Sequence, residues 1–241
     1  MRVGELLAPM YTERKAQLDQ VALKADPVLV CDPRRQTNAD LLFDAMRIGW
    51  VGELVFDATS GQEVFWQRWR PAELHTNDLH VSSAHWCFDY LKPWEGQTLP
   101  EVGGTVDGAD LVGAFDTVVF DPPYQLNGKP TDFYGSRYGL AGRVRVPQRL
   151  AEIRQGAVNC ARLVAPDGTL LVKCMDQVSL FEVHFQTQMV IEAIAGLKRF
   201  KLLGLLELTE PKPRTQDKQV TPRFNRSTLL AFHRYSAKPI D

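Results

Sequence analysis

The sequence has no excess of charge of either sign, no paired cysteines, no histidine cluster and no long apolar run, and each absence excludes something. Its 28 Lys and Arg nearly balance 29 Asp and Glu, so no global basic field surrounds the molecule and a polyanion would have to be gripped by a local patch. Cys31, Cys87, Cys160 and Cys174 lie far apart with no C-x-x-C pair, which fits reduced structural thiols rather than a disulfide framework. His75, His80, His85, His184 and His233 show no ligand spacing, and no metal site is expected. The N-terminus carries Arg2, Glu5, Glu13, Arg14 and Lys15 with no long apolar stretch, so neither a signal peptide nor a membrane span is expected, and a cytoplasmic location is the default. There is no internal repeat or low-complexity segment.

What is present suits one α/β domain. With 241 residues, 44% of them apolar, the chain can bury a sizeable core, while two full domains would be cramped. Thr37 or Asn38 is placed to cap a helix through Ala39–Met46 that stops near Gly49. Glu53–Phe56 has the pattern of a first buried strand, with a helix expected from Gln62 to Arg68 behind it. Short strands are expected at Ala72–Thr76 and His85–Phe88, then a Gly- and Pro-rich loop from Lys92 to Ala114. Phe115–Phe120 is a strand by its continuous apolar run. Helical periodicity follows over Gln148–Leu163, a turn at Ala165–Gly168 and a strand at Thr169–Cys174. A helix over about Phe181–Leu197 and strands at Phe200–Leu208 and Ser227–His233 complete the pattern. Phe65, Trp66 and Trp69 are expected as core or helix-packing residues.

The tetrapeptide Asp121-Pro122-Pro123-Tyr124 stands at the end of the Phe115–Phe120 strand. Two successive prolines forbid the strand from continuing, and open α/β sheets place their chemistry at the carboxyl ends of strands. Each earlier strand also ends near a carboxylate: Asp57, Asp78 and Asp89. A loop such as Asp57-Ala58-Thr59-Ser60-Gly61 lets backbone approach a ligand. Asp78, about 20 residues beyond Asp57, stands where an acid accepts from ribose hydroxyls. Asp89 beside Phe88 could accept from an adenine amino group, and Asp57 could orient its loop or bind an ammonium. Together Asp57, Ala58, Thr59, Gly61, Asp78, Phe88, Asp89 and Asp121 describe a site for a nucleoside with an amino-acid tail, S-adenosyl-L-methionine.

In this order the residues resemble the class I S-adenosylmethionine-dependent methyltransferases, and Asp121-Pro122-Pro123-Tyr124 resembles the motif of amino-methyltransferases, above all the DNA adenine-N6 enzymes. Leu171–Asp176 and Asn225–Leu230 are similar to later segments of small phage and actinobacterial methylases. The resemblance covers about residues 35 to 235. It implies a Rossmann-like mixed α/β sheet of about seven strands, with a C-terminal antiparallel hairpin and helices on both faces. It also implies residence in a bacterial or phage-infected cell. Residues 35–236 would be a single methyltransferase domain without a separate target-recognition domain, preceded by an extension, 1–34, packing on the core. One residue departs from the pattern: Glu63 stands where such families usually carry a second Gly, either beside the methionine end of the cofactor or in the first turn of a helix.

The implied chemistry is methylation of an exocyclic base amine, most readily adenine N6 in DNA. Such an amine is a poor nucleophile until acceptors hold its N–H groups, and Asp121 with the Pro122 carbonyl would be those acceptors, Pro123 stiffening the loop. Tyr124 would stack on a base drawn out of its helix. Lys129, Arg137, Tyr138, Arg143 and Arg145 after the motif, and Lys212, Arg214, Lys218, Arg223 and Arg226 before the last strand, are candidate phosphate and base contacts or ordinary solvated loops. Lys173 and Asp176 either pair with each other or line the pocket, where Lys173 would contact substrate. A nucleic acid, DNA ahead of RNA, is the expected partner, with room for a homodimer or a recognition subunit. An RNA base amino-methyltransferase and an inactive cofactor-binding subunit remain as alternatives.

Overall fold

The computed structural model describes residues 27–101, 104–123, 126, 145–179, 181–209 and 224–236. Local signals set the first helix, α1 (Asn38–Arg47). Thr37 Oγ1 accepts the Asp40 N–H at 3.1 Å, and Asp40 Oδ2 accepts the Thr37 N–H at 3.0 Å. This capping box satisfies two groups that a helix start leaves open. Arg35, 2% exposed, donates from its guanidinium to Asp44 at 2.9 Å and to the carbonyls of Leu29 and Val30, each at 3.0 Å. It also bonds the Glu207 carbonyl, so the segment before α1 is pinned to the sheet.

Among the described residues ten strands follow the apolar runs: β1 (Leu54–Asp57), β2 (Glu73–Thr76), β3 (Thr98–Glu101), β4 (Gly104–Asp107), β5 (Phe115–Phe120), β6 (Val164–Cys174), β7 (Gln177–Ser179), β8 (Glu182–His184), β9 (Phe200–Thr209) and β10 (Arg226–Arg234). Two further helices are α2 (Val146–Leu163) and α3 (Gln186–Ala195). The central sheet has the order β2-β1-β5-β6-β10-β9. β2, β1, β5 and β6 are parallel, and β10 runs antiparallel between β6 and β9. The chain is a Rossmann-like mixed α/β fold with a C-terminal antiparallel hairpin.

Strand alternation divides the core into two layers. Val55, Val119, Leu171 and Leu229 pack with Leu41, Leu42 and Ala45 of α1 on one face. Phe56, Val118, Phe120, Leu170, Val172 and Leu230 pack with Ile153 and Ala157 of α2 and with Val190 and Ile194 of α3 on the other. Helices therefore cover both faces.

The described residues form a six-stranded central sheet rather than about seven strands, because His85–Phe88 makes one bridge, Asn77 to Trp86, and not a ladder. The Asn77 side chain takes the Phe88 N–H at 2.7 Å and donates to the Phe88 carbonyl at 3.0 Å, occupying groups that a ladder would use. The helix expected at Gln62–Arg68 is a single 3-10 turn, Val64–Trp66, entered through Glu63 at φ 55. That left-handed residue interrupts helical geometry. The expected loop from Lys92 to Ala114 contains the β3–β4 hairpin, whose Leu99 and Val106 pack on the core. The turn at Ala165–Gly168 is an irregularity inside β6, with Asp167 at φ 64. β8, the second strand of the β7–β8 hairpin, occupies the start of the segment expected as one long helix, and α3 begins only at Gln186.

Candidate active site

After β2 the chain passes over β1 and enters the sheet on its other side as β5, so strand order reverses between β1 and β5. Ligand crevices of open α/β sheets lie outside the carboxyl ends of strands at such a switch point. Asp57 ends β1 and Asp121 follows β5, which puts both acids there.

Asp57 is 1% exposed. Its Oδ2 accepts the Trp66 indole N–H at 2.7 Å, and its Oδ1 accepts the Thr59 amide at 3.1 Å. Burial pushes its carboxyl up to about 7 against these two hydrogen bonds, and the charges of Asp121 and Asp78 push in the same direction. A carboxyl with nearby acids and no water costs less with its proton on. Trp66 is thus more than the core residue expected: its N–H holds the acid while its ring fills the α1 face.

The loop after β1 is knitted to both neighbouring strands. Ala58 N–H donates to the Val119 carbonyl at 2.9 Å and Ser60 N–H to the Asn77 carbonyl at 3.0 Å. Gly61, at φ 51, donates its N–H to Asp78 Oδ2 at 3.1 Å. Asp78 Oδ1 accepts the amides of His80 at 2.8 Å and Val81 at 3.2 Å. Glu63 carries a conformation that glycine adopts freely, which explains why a glycine would suit the position. Its carboxylate is paired with Arg70 at 2.7 Å.

Asn77, absent from the residues singled out in the sequence, is the hub of this region. It is fully buried, donating to the Ala58 carbonyl at 3.0 Å while holding both backbone groups of Phe88. The signal available was a polar amide at a strand end directly before Asp78. Phe88 is itself wholly buried, edge-on to Trp86 and Trp94. Asp89 Oδ1 accepts the Leu91 amide at 3.0 Å, and Oδ2 lies 3.3 Å from the Lys92 ammonium.

Asp121 is held from two sides. Its backbone N–H donates to Thr59 Oγ1 at 2.8 Å, and its Oδ2 lies 3.6 Å from the Lys173 ammonium. Pro122 is buried and Pro123 half-buried. Lys173 is 1% exposed, with its ammonium 5.9 Å from the centre of the Phe65 ring. Lys173 therefore pairs with Asp121, while Asp176 caps α3 by accepting the Thr187 N–H at 2.9 Å. Distance along β6 explains the difference: strand alternation turns Lys173 toward Leu171's face, while Asp176 lies beyond the strand end.

Thr59 joins Asp57 to Asp121, which pairs with Lys173, while Gly61 holds Asp78 and Ala58 is held by Val119 and Asn77. Arg226, at the start of β10, lies at the end of the sheet where β6 finishes, separated from β5 by β6, and its guanidinium is 3.3 Å from Glu207. Tyr124, Lys129, Arg137, Tyr138, Arg143 and Arg214 lie outside the described residues.

No protein-family model matches the sequence, and the search of curated proteins finds no match. Among solved structures, similarity extends to a putative DNA modification methylase from Thermus thermophilus complexed with S-adenosyl-L-methionine, at 16% identity and a TM-score of 0.36, over 54% of this chain and 52% of that one. The PvuII cytosine-N4-specific DNA methyltransferase is 13% identical at a TM-score of 0.37, over 51% and 43% of the two chains. The N-methyltransferase NodS from Bradyrhizobium japonicum, with S-adenosyl-L-homocysteine, is 13% identical at 0.42, over 91% and 97%. The matched part spans about half the length of the Thermus methylase. At such identities and TM-scores none of these likenesses assigns a ligand or an activity to this chain.

Proposed function

We propose that the protein is an S-adenosyl-L-methionine-dependent methyltransferase acting on an exocyclic amine of a nucleobase, adenine N6 in DNA ahead of other amines. The observation that carries this reading is Asp121: a carboxylate at the strand-order reversal, held by Thr59 and Lys173 and followed by two prolines. Residues 35–236 would form the catalytic domain, with target recognition left to the basic loops or to a partner subunit.

The residues fit such a methyl donor. Asp57, Asp78 and Asp121 are close enough for the latter two to raise the first, so the crevice is negative and favours a cation. S-adenosyl-L-methionine supplies an electrophilic methyl group on a positively charged sulfur. The Thr59–Gly61 loop, whose three N–H groups are already engaged, would meet the ammonium of its amino-acid end with carbonyl oxygens, Asp78 would hold its ribose and Asp89 its adenine, with Phe88 supporting Asp89 from the core. Asp78 accepts three amides here, and a carboxylate has room for a further donor.

Asp121 and the Pro122 carbonyl would accept the two N–H groups of the substrate amine, drawing its lone pair out of conjugation. The fixed negative charge meets the positive charge that grows on nitrogen, and Asp121 can take the proton once the nitrogen has become cationic. Tyr124 would stack on the extruded base.

Incubation with radiolabelled cofactor and either duplex DNA or total RNA, followed by nucleoside mass analysis, tests the assignment. N6-methyladenine in DNA is expected; label confined to RNA would move the substrate to RNA, and no label with either would overturn the enzymatic reading. Asp121→Ala should abolish transfer while cofactor binding survives.

A further inference from the structure

We propose that Lys173 is a positioning residue for Asp121: its buried ammonium fixes the direction of the carboxylate and keeps it charged, so the amine acceptor is formed before any ligand arrives. The inference rests on the methyltransferase reading for its consequence in catalysis, but the pairing itself can be measured without it.

The location of Lys173 makes a packing role a poor explanation. It sits inside β6 opposite Leu229, on the face where Leu171, Val119 and Leu229 meet α1. An apolar side chain would fill that layer without removing an ammonium from water, a step that is costly unless a partner charge offsets it. The chain nevertheless places a lysine, 1% exposed, one residue beyond the Val172–Phe120 register pair. From there the ammonium reaches Asp121 Oδ2 at 3.6 Å.

The surroundings give the charge a task. Among the described residues, the Asp57 carboxyl and the Cys174 thiol both feel the Asp121 charge, with Asp78 acting on Asp57 and Asp176 on Cys174. The Cys174 thiol is pushed up to about 12 by burial and stays neutral. Three carboxylates without a counter-charge would compete to hold a proton, and a protonated Asp121 is a weaker acceptor for an amine N–H. Lys173 supplies a positive charge at the acid that must stay ionised.

Carbonyl-13C NMR titration of Asp121 in the wild type and Lys173→Met is the direct test. Loss of an opposite charge within 4–6 Å should raise the Asp121 midpoint by about one unit or more. The acid limb of the kcat profile should move upward by the same amount. Lys173→Arg keeps the charge but not the geometry, so its acid limb should stay in place while kcat falls about tenfold with unchanged cofactor affinity. Should Lys173→Met fail to fold, the double variant Lys173→Met/Asp121→Asn, which leaves no unpaired ion, should recover the melting temperature. Equal Asp121 midpoints in wild type and Lys173→Met would overturn the proposal, as would an Arg variant with wild-type kcat or a double variant no more stable than the single one. If the midpoints shift but no base amine is methylated, the pairing stands and the activity assignment fails.

Discussion

The Thr59 hydroxyl accepts the backbone N–H of Asp121 at 2.8 Å, linking two loops that are 62 residues apart in the chain. The same threonine donates its own amide to Asp57. One residue thus connects the acid at the end of β1 with the acid after β5, and fixes where the second loop begins. Both proline residues lie downstream of that anchor, so the stiffness they confer is transmitted from a defined point.

Thr59→Val keeps the shape of the side chain and removes the acceptor. A partly buried amide then loses its partner, which costs about 1–3 kcal/mol. Thr59→Ser should retain most of the wild-type stability because the oxygen remains. Urea denaturation of the three proteins checks this; an unchanged midpoint in the valine variant would show that the link contributes nothing.

The Asp57 carboxyl predicts a specific dependence on pH. Its folded value, about 7, lies above the ordinary 3.8. Below about pH 4 both folded and unfolded chains hold this proton, and the group's contribution to stability is fully present. As pH rises toward 7 the unfolded chain releases the proton while the folded one keeps it, so the contribution is lost across this window. Above the folded value both states are ionised and the loss levels off. Asp57→Asn should flatten that decline in melting temperature between about pH 4 and 7, although its single amide oxygen cannot serve both Trp66 and Thr59. A decline equally steep in the variant would assign the dependence to other groups.

The strands and the acids at their ends are legible in the sequence because both signals are local: an apolar run such as Val118–Phe120 followed by Asp121 needs no knowledge of distant residues. The partners of those acids are not. Trp66 reads as a core aromatic, and the sequence does not show that the 3-10 turn after the left-handed Glu63 carries the indole that donates to Asp57. Asn77 stands at a strand end in the sequence, yet its side chain takes both backbone groups of Phe88. Lys173 interrupts an otherwise apolar strand, and a single sequence shows neither that this ammonium is buried nor which carboxylate it meets. Pairings across the sheet are set by register and strand order, which emerge only on folding.

Glu63→Gly tests whether the departure from a glycine at this position carries a cost. A non-glycine residue at φ 55 is held about 1–2 kcal/mol above its relaxed conformation. Against that, glycine gives up the half-exposed ion pair with Arg70, worth about 0–1 kcal/mol, and starts from a more flexible unfolded chain at about 0.5–1 kcal/mol. The terms nearly cancel, so the melting temperature should stay near wild type or rise slightly. Glu63→Ala, which keeps the strain and loses the pair, should be the less stable of the two. An alanine variant more stable than the glycine variant would contradict this account.

Gly156 makes the opposite prediction from its helical setting. Alanine is the better helix former by about 1 kcal/mol, and on propensity alone Gly156→Ala would stabilise α2. The space is taken, however: an added Cβ would lie 2.4 Å from Phe120 Cζ and 2.8 Å from Tyr90 Cδ2. The two rings pack edge to face at 5.0 Å, so neither can yield without moving the other. Overpacking of this kind costs about 1–3 kcal/mol, which outweighs the propensity gain. Phe120 also immediately precedes Asp121, so the displacement should reach the site. Gly156→Ala is therefore expected to melt below the wild type and to lose the proposed methyl transfer at temperatures where it remains folded. A second change, Phe120→Leu, makes room beside the new methyl group and should recover part of the stability; a double variant less stable than either single one would refute the clash as the cause.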